Sequence, residues 1–160
     1  LADTLLAFRL EAWRKSVRAR LVSHPRLYLF DVGVTNALNR RLTAALDPAT
    51  RGRLFEQWRV LECRRRIDYA ASEARIFFWR TNHGAEVDLL VEKHGKLHAA
   101  VEIKTTRRVA GADLAGLRSF AEEHPGVPRF VVTPAAEPHR LDDVLVTSWR
   151  DFLEQFQTWL

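Results

Sequence analysis

The chain of 160 residues has no methionine, not even at position 1, and a single cysteine, Cys63. One cysteine excludes an internal disulfide and fits a reducing compartment, which points to the cytoplasm. A start without methionine leads to the expectation that the sequence is a piece of a longer polypeptide. No run approaches the roughly 20 consecutive apolar residues that a membrane-spanning helix needs, so no membrane partner is expected. Arg9, Glu11 and Arg14 interrupt the N-terminal apolar residues, which is not the pattern of a signal peptide. Internal repeats and low-complexity tracts are also missing.

What is present is the composition of one globular domain spanning residues 1–160. Apolar residues make up 47% and charged residues 28%, too apolar for a disordered chain. Five Trp and nine Phe supply bulky material for a core. The net charge of +5 makes an anionic partner plausible on electrostatic grounds.

Near the N-terminus, Leu6, Phe8 and Leu10 alternate with Ala7, Arg9 and Glu11, the period of a strand. Arg14, Lys15, Arg18 and Arg20 read as a solvated connection, and residues 1–25 as a linking or edge segment. Residues 27–30 (LYLF) read as a short buried strand. Asp31 then caps a helix over about 34–42. Asp47 and Pro48 start the longest helix, over residues 49–69, with a cap and a first-turn proline. On that helix Glu56, Val60, Cys63 and Ile67 fall on one stripe, and Leu54, Trp58 and Leu61 on a neighbouring apolar one. Glu56 is therefore either a boundary residue paired with an arginine such as Arg59, or a carboxylate aimed into a site. Glu62 suits a salt bridge.

Residues 76–104 form the centre of the pattern: three strand-like runs broken at Asn82-His83-Gly84 and Lys93-His94-Gly95. Strand alternation puts Glu86, Asp88, Leu90 and Glu92 on one face and Val87, Leu89 and Val91 on the other. In the next run Glu102 and Lys104 share a face. Asp88, Glu102 and Lys104 then converge, unless they are only the polar side of a half-exposed hairpin. Acids in strands this apolar need a counter-charge. Oxygen ligands without a thiol cluster favour Mg²⁺ or Mn²⁺ over Zn²⁺. Phe77 and Trp79 read as core, and His83 as an exposed loop residue. An amphipathic helix is expected over 112–123, strands over 129–132 and 144–146, a polar loop over 134–142, and a closing helix capped by Ser148. Strands joined by helices in this order predict a mixed α/β sheet with helices on its faces.

Glu56 on a helix, Asp88, and Glu102-Ile103-Lys104 fourteen residues later resemble the PD-(D/E)XK phosphodiesterase superfamily. Gly52-x-x-Phe55-Glu56 is similar to its Holliday-junction-resolvase-like branch. More closely, the chain resembles a domain of unknown function that follows AAA-type ATPase modules in bacteria and archaea. The phrases DTLLAFRLEAW, LYLFDVGVTNAL, GRLFEQW, FFWRTNHGAEVDLLVE and VEIKTT carry this resemblance and cover most of the chain. Val87, not proline, precedes Asp88. Gly111 and Gly116 have phosphate-loop spacing, but Leu117 and Arg118 follow where Lys-Ser/Thr is required, so an ATPase site is not expected here.

The resemblance implies a restriction-endonuclease-like core and metal-assisted hydrolysis of DNA phosphodiesters. Asp88 and Glu102 would hold Mg²⁺ or Mn²⁺, Glu56 would complete the site, and Lys104 would orient or deprotonate the attacking water. Arg107 and Arg108, then Arg64, Arg65 and Arg66, are the nucleic-acid candidates, each alternatively a solvated surface charge. The implied partners are DNA and an ATPase module of the same polypeptide. Two other readings stand beside this one. The first is a catalytically silent module that docks DNA or a protein for the ATPase. The second is a homo-oligomer built on exposed aromatics such as Trp149 and Trp159.

Overall fold

The computed structural model describes residues 6–13, 24–134 and 137–160. The basic connection at Arg14, Lys15, Arg18 and Arg20 lies outside these residues. Strands β1 (Ala7–Leu10) and β2 (Arg26–Leu29) pair antiparallel. Just beyond β1 the Trp13 N–H donates to the Phe78 carbonyl at 2.7 Å, and the Phe78 N–H to the Glu11 carbonyl at 3.1 Å. These bonds attach the small β1–β2 sheet to the edge of the main one.

The main sheet contains β3 (Arg75–Arg80), β4 (Glu86–Lys93), β5 (Lys96–Ile103), β6 (Arg129–Thr133), β7 (His139–Leu141) and β8 (Val144–Ser148). Its order is β3-β4-β5-β6-β8-β7, with β5-β6 and β6-β8 parallel and the other neighbours antiparallel. The expected loop over 134–142 thus contains an edge strand, too short and polar to show a sequence signal. A two-residue turn joins β4 to β5, with His94 at φ 53° and Gly95 at φ 79°. Two positive φ angles in succession match the right-handed twist of the strands they connect.

Helices cover both faces. On one side α2 (Pro48–Tyr69) and α4 (Trp149–Gln157) bury Val60, Cys63, Ile67, Phe152 and Phe156 against Leu89, Val91, Val101 and Val132. On the other, α3 (Ala115–Glu123), entered through a 3-10 turn at Gly111–Leu114, buries Leu117 and Phe120 against Val87, Leu90, Ala100 and Val131. Each such fully buried side chain contributes about 1.5–3 kcal/mol relative to exposure. The mixed α/β sheet flanked by helices matches the pattern read from the sequence.

Several local expectations change. Helix α1 is Val32–Leu38, shorter than 34–42, though Asp31 does cap it through the Val34 N–H at 3.0 Å. Tyr28 of β2 is buried, but Leu27 is 56% exposed, because this strand lies in the small sheet and covers the core with one face only; Phe30, expected in the strand, lies just past it and is 43% exposed. Trp58 is likewise exposed. Trp149 and Trp159 are not the exposed aromatics expected; both pack on Phe152 in a C-terminal aromatic cluster. The simple alternation in β4 also fails. Phe77 pairs with Leu90 but Trp79 with Val87, so Asp88 and Leu89 together oppose Phe78 in a bulge. Val87 and Leu90 consequently share the α3 side, and Leu89 and Val91 the α2 side.

Gly116 explains how closely α3 approaches the site strand, since a Cβ there would overlap the Glu86 carbonyl oxygen of β4. A glycine-to-alanine change inside a helix ordinarily stabilises by about 0.5–1 kcal/mol. Gly116→Ala is predicted to do the reverse and cost about 1–3 kcal/mol, because the obstacle is backbone. Urea unfolding checks it; an unchanged or raised midpoint would sink the close-approach account.

Candidate active site

The site lies where the N-terminal half of α2 crosses the start of β4 and the end of β5. Asp47 caps α2 by accepting from the Thr50 N–H at 2.8 Å, and Pro48 occupies the first turn. That start fixes the helical phase, so Glu56 falls beside the buried stripe of Val60, Cys63 and Ile67 yet keeps a side chain 22% exposed. The bulge in β4 brings the Asp88 carboxylate to β5, where its Oδ2 accepts from the Ile103 N–H at 2.8 Å. Glu102 and Lys104 form an ion pair at 2.9 Å, and the Lys104 ammonium also lies 3.8 Å from Asp113. The four residues expected to converge, Glu56, Asp88, Glu102 and Lys104, do lie in one neighbourhood: Asp88 is repelled by both Glu102 and Glu56.

Two residues were missed in the sequence. Arg26 and Tyr28 alternate along β2 and share a face. The Arg26 guanidinium reaches Glu56 at 2.5 Å, Glu86, and Asp88 at 3.8 Å, and stacks 4.7 Å over the Phe78 ring. The Tyr28 hydroxyl donates to the same Glu56 oxygen at 2.6 Å. The partner of Glu56 is therefore Arg26 and not Arg59, whose guanidinium instead packs over Phe55, Trp58 and Trp149. The alternation of Arg26 and Tyr28 was the available signal; placing the strand at 27–30 hid it.

Electrostatics follow from three carboxylates in a half-closed space. Burial, then repulsion by Glu102 and Glu56, pushes the Asp88 carboxyl up to about 7, against the Ile103 N–H and Arg26. Burial also raises Glu102, outweighing the Lys104 ammonium beside it. Burial works against the charge of Lys104, but Glu102, Asp88 and Asp113 together hold its pKa above the ordinary lysine value. Arg26 is raised in the same way, with Glu56, Tyr28 and Asp88 outweighing its desolvation. The second oxygen of Glu102, Oε2, is buried without a hydrogen-bond partner. Among the described residues, no three His, Cys, Asp or Glu side chains are grouped so as to hold a metal ion by themselves.

The arginine candidates separate. Arg107 and Arg108 are exposed just past β5, and among the described residues neither is in a salt bridge. Arg64 is paired with Asp68 at 2.9 Å, and Arg65 donates to the Phe30 carbonyl at 2.9 Å. Both lie about 12 Å or more along α2 from Glu56. Arg66 pairs with Glu62 at 3.1 Å, the salt bridge expected for that glutamate. His83 is exposed, while Trp79 is core.

Residues 51–152, which contain every carboxylate of the site, match the family described as Domain of unknown function (DUF4143). The chain belongs to this family. It is also similar to Uncharacterized protein Mb2031c of Mycobacterium bovis and Uncharacterized protein Rv2008c of Mycobacterium tuberculosis, each 29% identical over 166 residues. Those alignments cover 96% of this chain but only 36% of each relative, so the chain spans about a third of the curated relatives it matches. No solved structure matches it. In this DUF4143 domain, no helix of the described residues is long and apolar enough to cross a membrane.

The raised Asp88 carboxyl gives a signed prediction. Between its ordinary value of 3.8 and about 7, folded Asp88 holds more proton than the unfolded chain does. Its contribution to stability is therefore present at low pH and is lost as pH rises through that window. Asp88→Asn should be more stable relative to wild type at pH 7 than at pH 4, measured by chemical denaturation at both. A difference of the opposite sign would contradict the burial and repulsion assigned to Asp88.

Proposed function

We propose that this DUF4143 domain is a metal-dependent phosphodiesterase of the PD-(D/E)XK type, acting on DNA as part of a longer polypeptide that carries an AAA-type ATPase module. The observation that carries the reading is the cluster of Asp88, Glu102 and Glu56 beside Lys104, with one Glu102 oxygen buried and unpartnered. The donor set fits Mg²⁺ or Mn²⁺: all oxygen, with Cys63 buried in the core and its thiol pKa raised by burial. Mg²⁺ is commonly held by one or two carboxylates together with substrate phosphates, so a full set of protein ligands is not required. Asp88 and Glu102 would hold the ion, with the Ile103 carbonyl as a further donor. When bound, it supplies Lewis acidity toward a phosphoryl oxygen and a nucleophile at neutral pH.

The chain's own residues then divide the remaining work. Lys104, kept charged by its acidic neighbours, offsets negative charge on the phosphate and orients the attacking water; it is poorly placed to act as a base. Glu56 is held in place by hydrogen bonds from Arg26 and Tyr28. Phosphate contacts from Arg107 and Arg108 would make binding sequence-independent and salt-sensitive.

One observation favours a second reading, a catalytically silent docking module. Arg26 already supplies positive charge to Glu56, Glu86 and Asp88, the role a metal ion would otherwise fill. Two measurements separate the readings. Calorimetric titration with Mn²⁺ should show binding by wild type that is lost in Asp88→Ala. Mn²⁺-dependent cleavage of linear or branched DNA should fall at least about 100-fold in Lys104→Met, the scale of losing one catalytic group. A folded wild type that leaves duplex, branched and single-stranded DNA intact in Mn²⁺ would overturn the nuclease reading.

Arg26→Gln provides an independent check. Removing the guanidinium leaves its carboxylate partners short of positive charge, with an expected loss of about 1–3 kcal/mol in chelator. Added Mn²⁺ should restore more melting temperature to Arg26→Gln than it adds to wild type. Equal responses of the two proteins would favour the silent module.

A further inference from the structure

A cleft of about 620 Å³ opens beside the carboxylates, between β2, α1 and the first turns of α2. It is continuous with the site, because Arg26, Tyr28 and Glu56 line both. At its far end two arginines converge: Arg41 Nη1 and Arg53 Nη2 donate to the same Thr50 hydroxyl oxygen, at 3.1 and 3.0 Å. Thr50 is buried and donates in turn to the capping carboxylate of Asp47 at 2.7 Å, which fixes the shared acceptor. Among the described residues neither guanidinium is in a salt bridge, and both are exposed. Each guanidinium has five N–H donors; the Asp47 carboxylate, which feels the Arg53 charge, is engaged by Thr50 and forms no salt bridge with either arginine, so donors of both remain for an anion in the cleft.

The rest of the cleft has a different character. Leu27 and Leu54 offer apolar wall. Gln57 is immobilised by the Leu29 carbonyl at 2.9 Å and the Thr35 hydroxyl at 2.8 Å. The Asn36 amide, which also lines the cleft, makes no side-chain hydrogen bond among the described residues. Arg53 and Glu56 are three residues apart on α2 and so lie on one face, about one helical turn from each other. An anion on Arg41 and Arg53, an apolar body against the leucines and a polar edge on Asn36 together describe a nucleoside phosphate.

We infer that this cleft is a nucleotide subsite. It takes one unstacked nucleoside monophosphate unit, with its phosphate on Arg41 and Arg53 and its base edge on Asn36, directly beside the phosphodiester at Asp88 and Glu102. The inference names the substrate of the proposed phosphodiesterase as a strand that can present an unpaired nucleotide, and in that respect rests on that reading. Binding in the cleft itself needs neither metal nor catalysis, so the two stand or fall by different experiments.

The test is a titration in EDTA, by NMR or calorimetry, of wild type with dTMP, with a six-residue oligothymidylate and with inorganic phosphate. Expected is saturable binding of dTMP or the oligomer at least tenfold tighter than that of inorganic phosphate. It should weaken at least tenfold in the Arg41→Ala/Arg53→Ala protein and persist in Asp88→Asn. Asn36→Ala should weaken the nucleotide and leave inorganic phosphate unchanged. An oligomer binding tenfold more tightly than dTMP supports a strand as the ligand; equal affinities would overturn the strand as occupant but keep the nucleotide subsite. Absence of saturable binding, inorganic phosphate binding as tightly as either nucleotide, or an arginine double variant that folds and binds like wild type would each overturn it. None of those three outcomes bears on Mn²⁺-dependent cleavage, which tests the phosphodiesterase separately.

Discussion

Three carboxylates, Glu56, Asp88 and Glu102, are drawn into a half-buried space, and the structure around them is arranged to supply positive charge. Arg26 enters from the small sheet and Lys104 from the end of β5. Burial and the repulsion of Glu102 and Glu56 already push Asp88 toward neutrality, and without the opposing charge of Arg26 the shift would be larger still. An unpaired buried charge costs several kcal/mol, whereas a paired one is close to neutral. The site is therefore a balanced charge cluster set into an otherwise apolar sheet, and it is costly to keep for packing alone.

The scaffold serves this cluster in specific ways. The bulge opposite Phe78 turns Asp88 out of strict alternation and toward the Ile103 amide. The Phe78 backbone also anchors the segment after β1, and its ring lies under the Arg26 guanidinium. Attachment of the small sheet and delivery of the Arg26 charge thus depend on one residue of β3. On the other face, Gly116 lets α3 close directly onto the Glu86 backbone. The cap at Asp47 and Thr50 sets the phase of α2 and gives Arg41 and Arg53 a common hydroxyl.

Much of this was legible before the fold was known. Caps at Asp31, Asp47 and Ser148, the central strands and the amphipathic α3 all have local causes: a side chain that satisfies a free amide, or an apolar period of two or of 3.6 residues. The proximity of Glu56, Asp88, Glu102 and Lys104 was also anticipated, through the resemblance of the acid-acid-lysine spacing, although the strand alternation expected to turn Asp88 toward Glu102 and Lys104 is broken by the bulge. What was not legible depends on contacts between distant segments. Arg26 lies 30 residues from Glu56, and no local period connects them. Trp149 and Trp159 read as available surface but are packed against Phe152, since an aromatic's burial depends on what faces it.

The sequence by itself determined the helix caps at Asp31, Asp47 and Ser148, the turn at His94 and Gly95, and the mixed α/β class. These follow from interactions within a few residues, where chain connectivity fixes the geometry. Only the tertiary structure decided which cation neutralises Glu56, which way Asp88 faces once the bulge breaks the alternation of β4, and that a cleft lies beside them. Those depend on the register between strands and on the seating of β2 against α2. Such pairings are chosen by the sum of long-range contacts, and no single stretch of sequence encodes that sum.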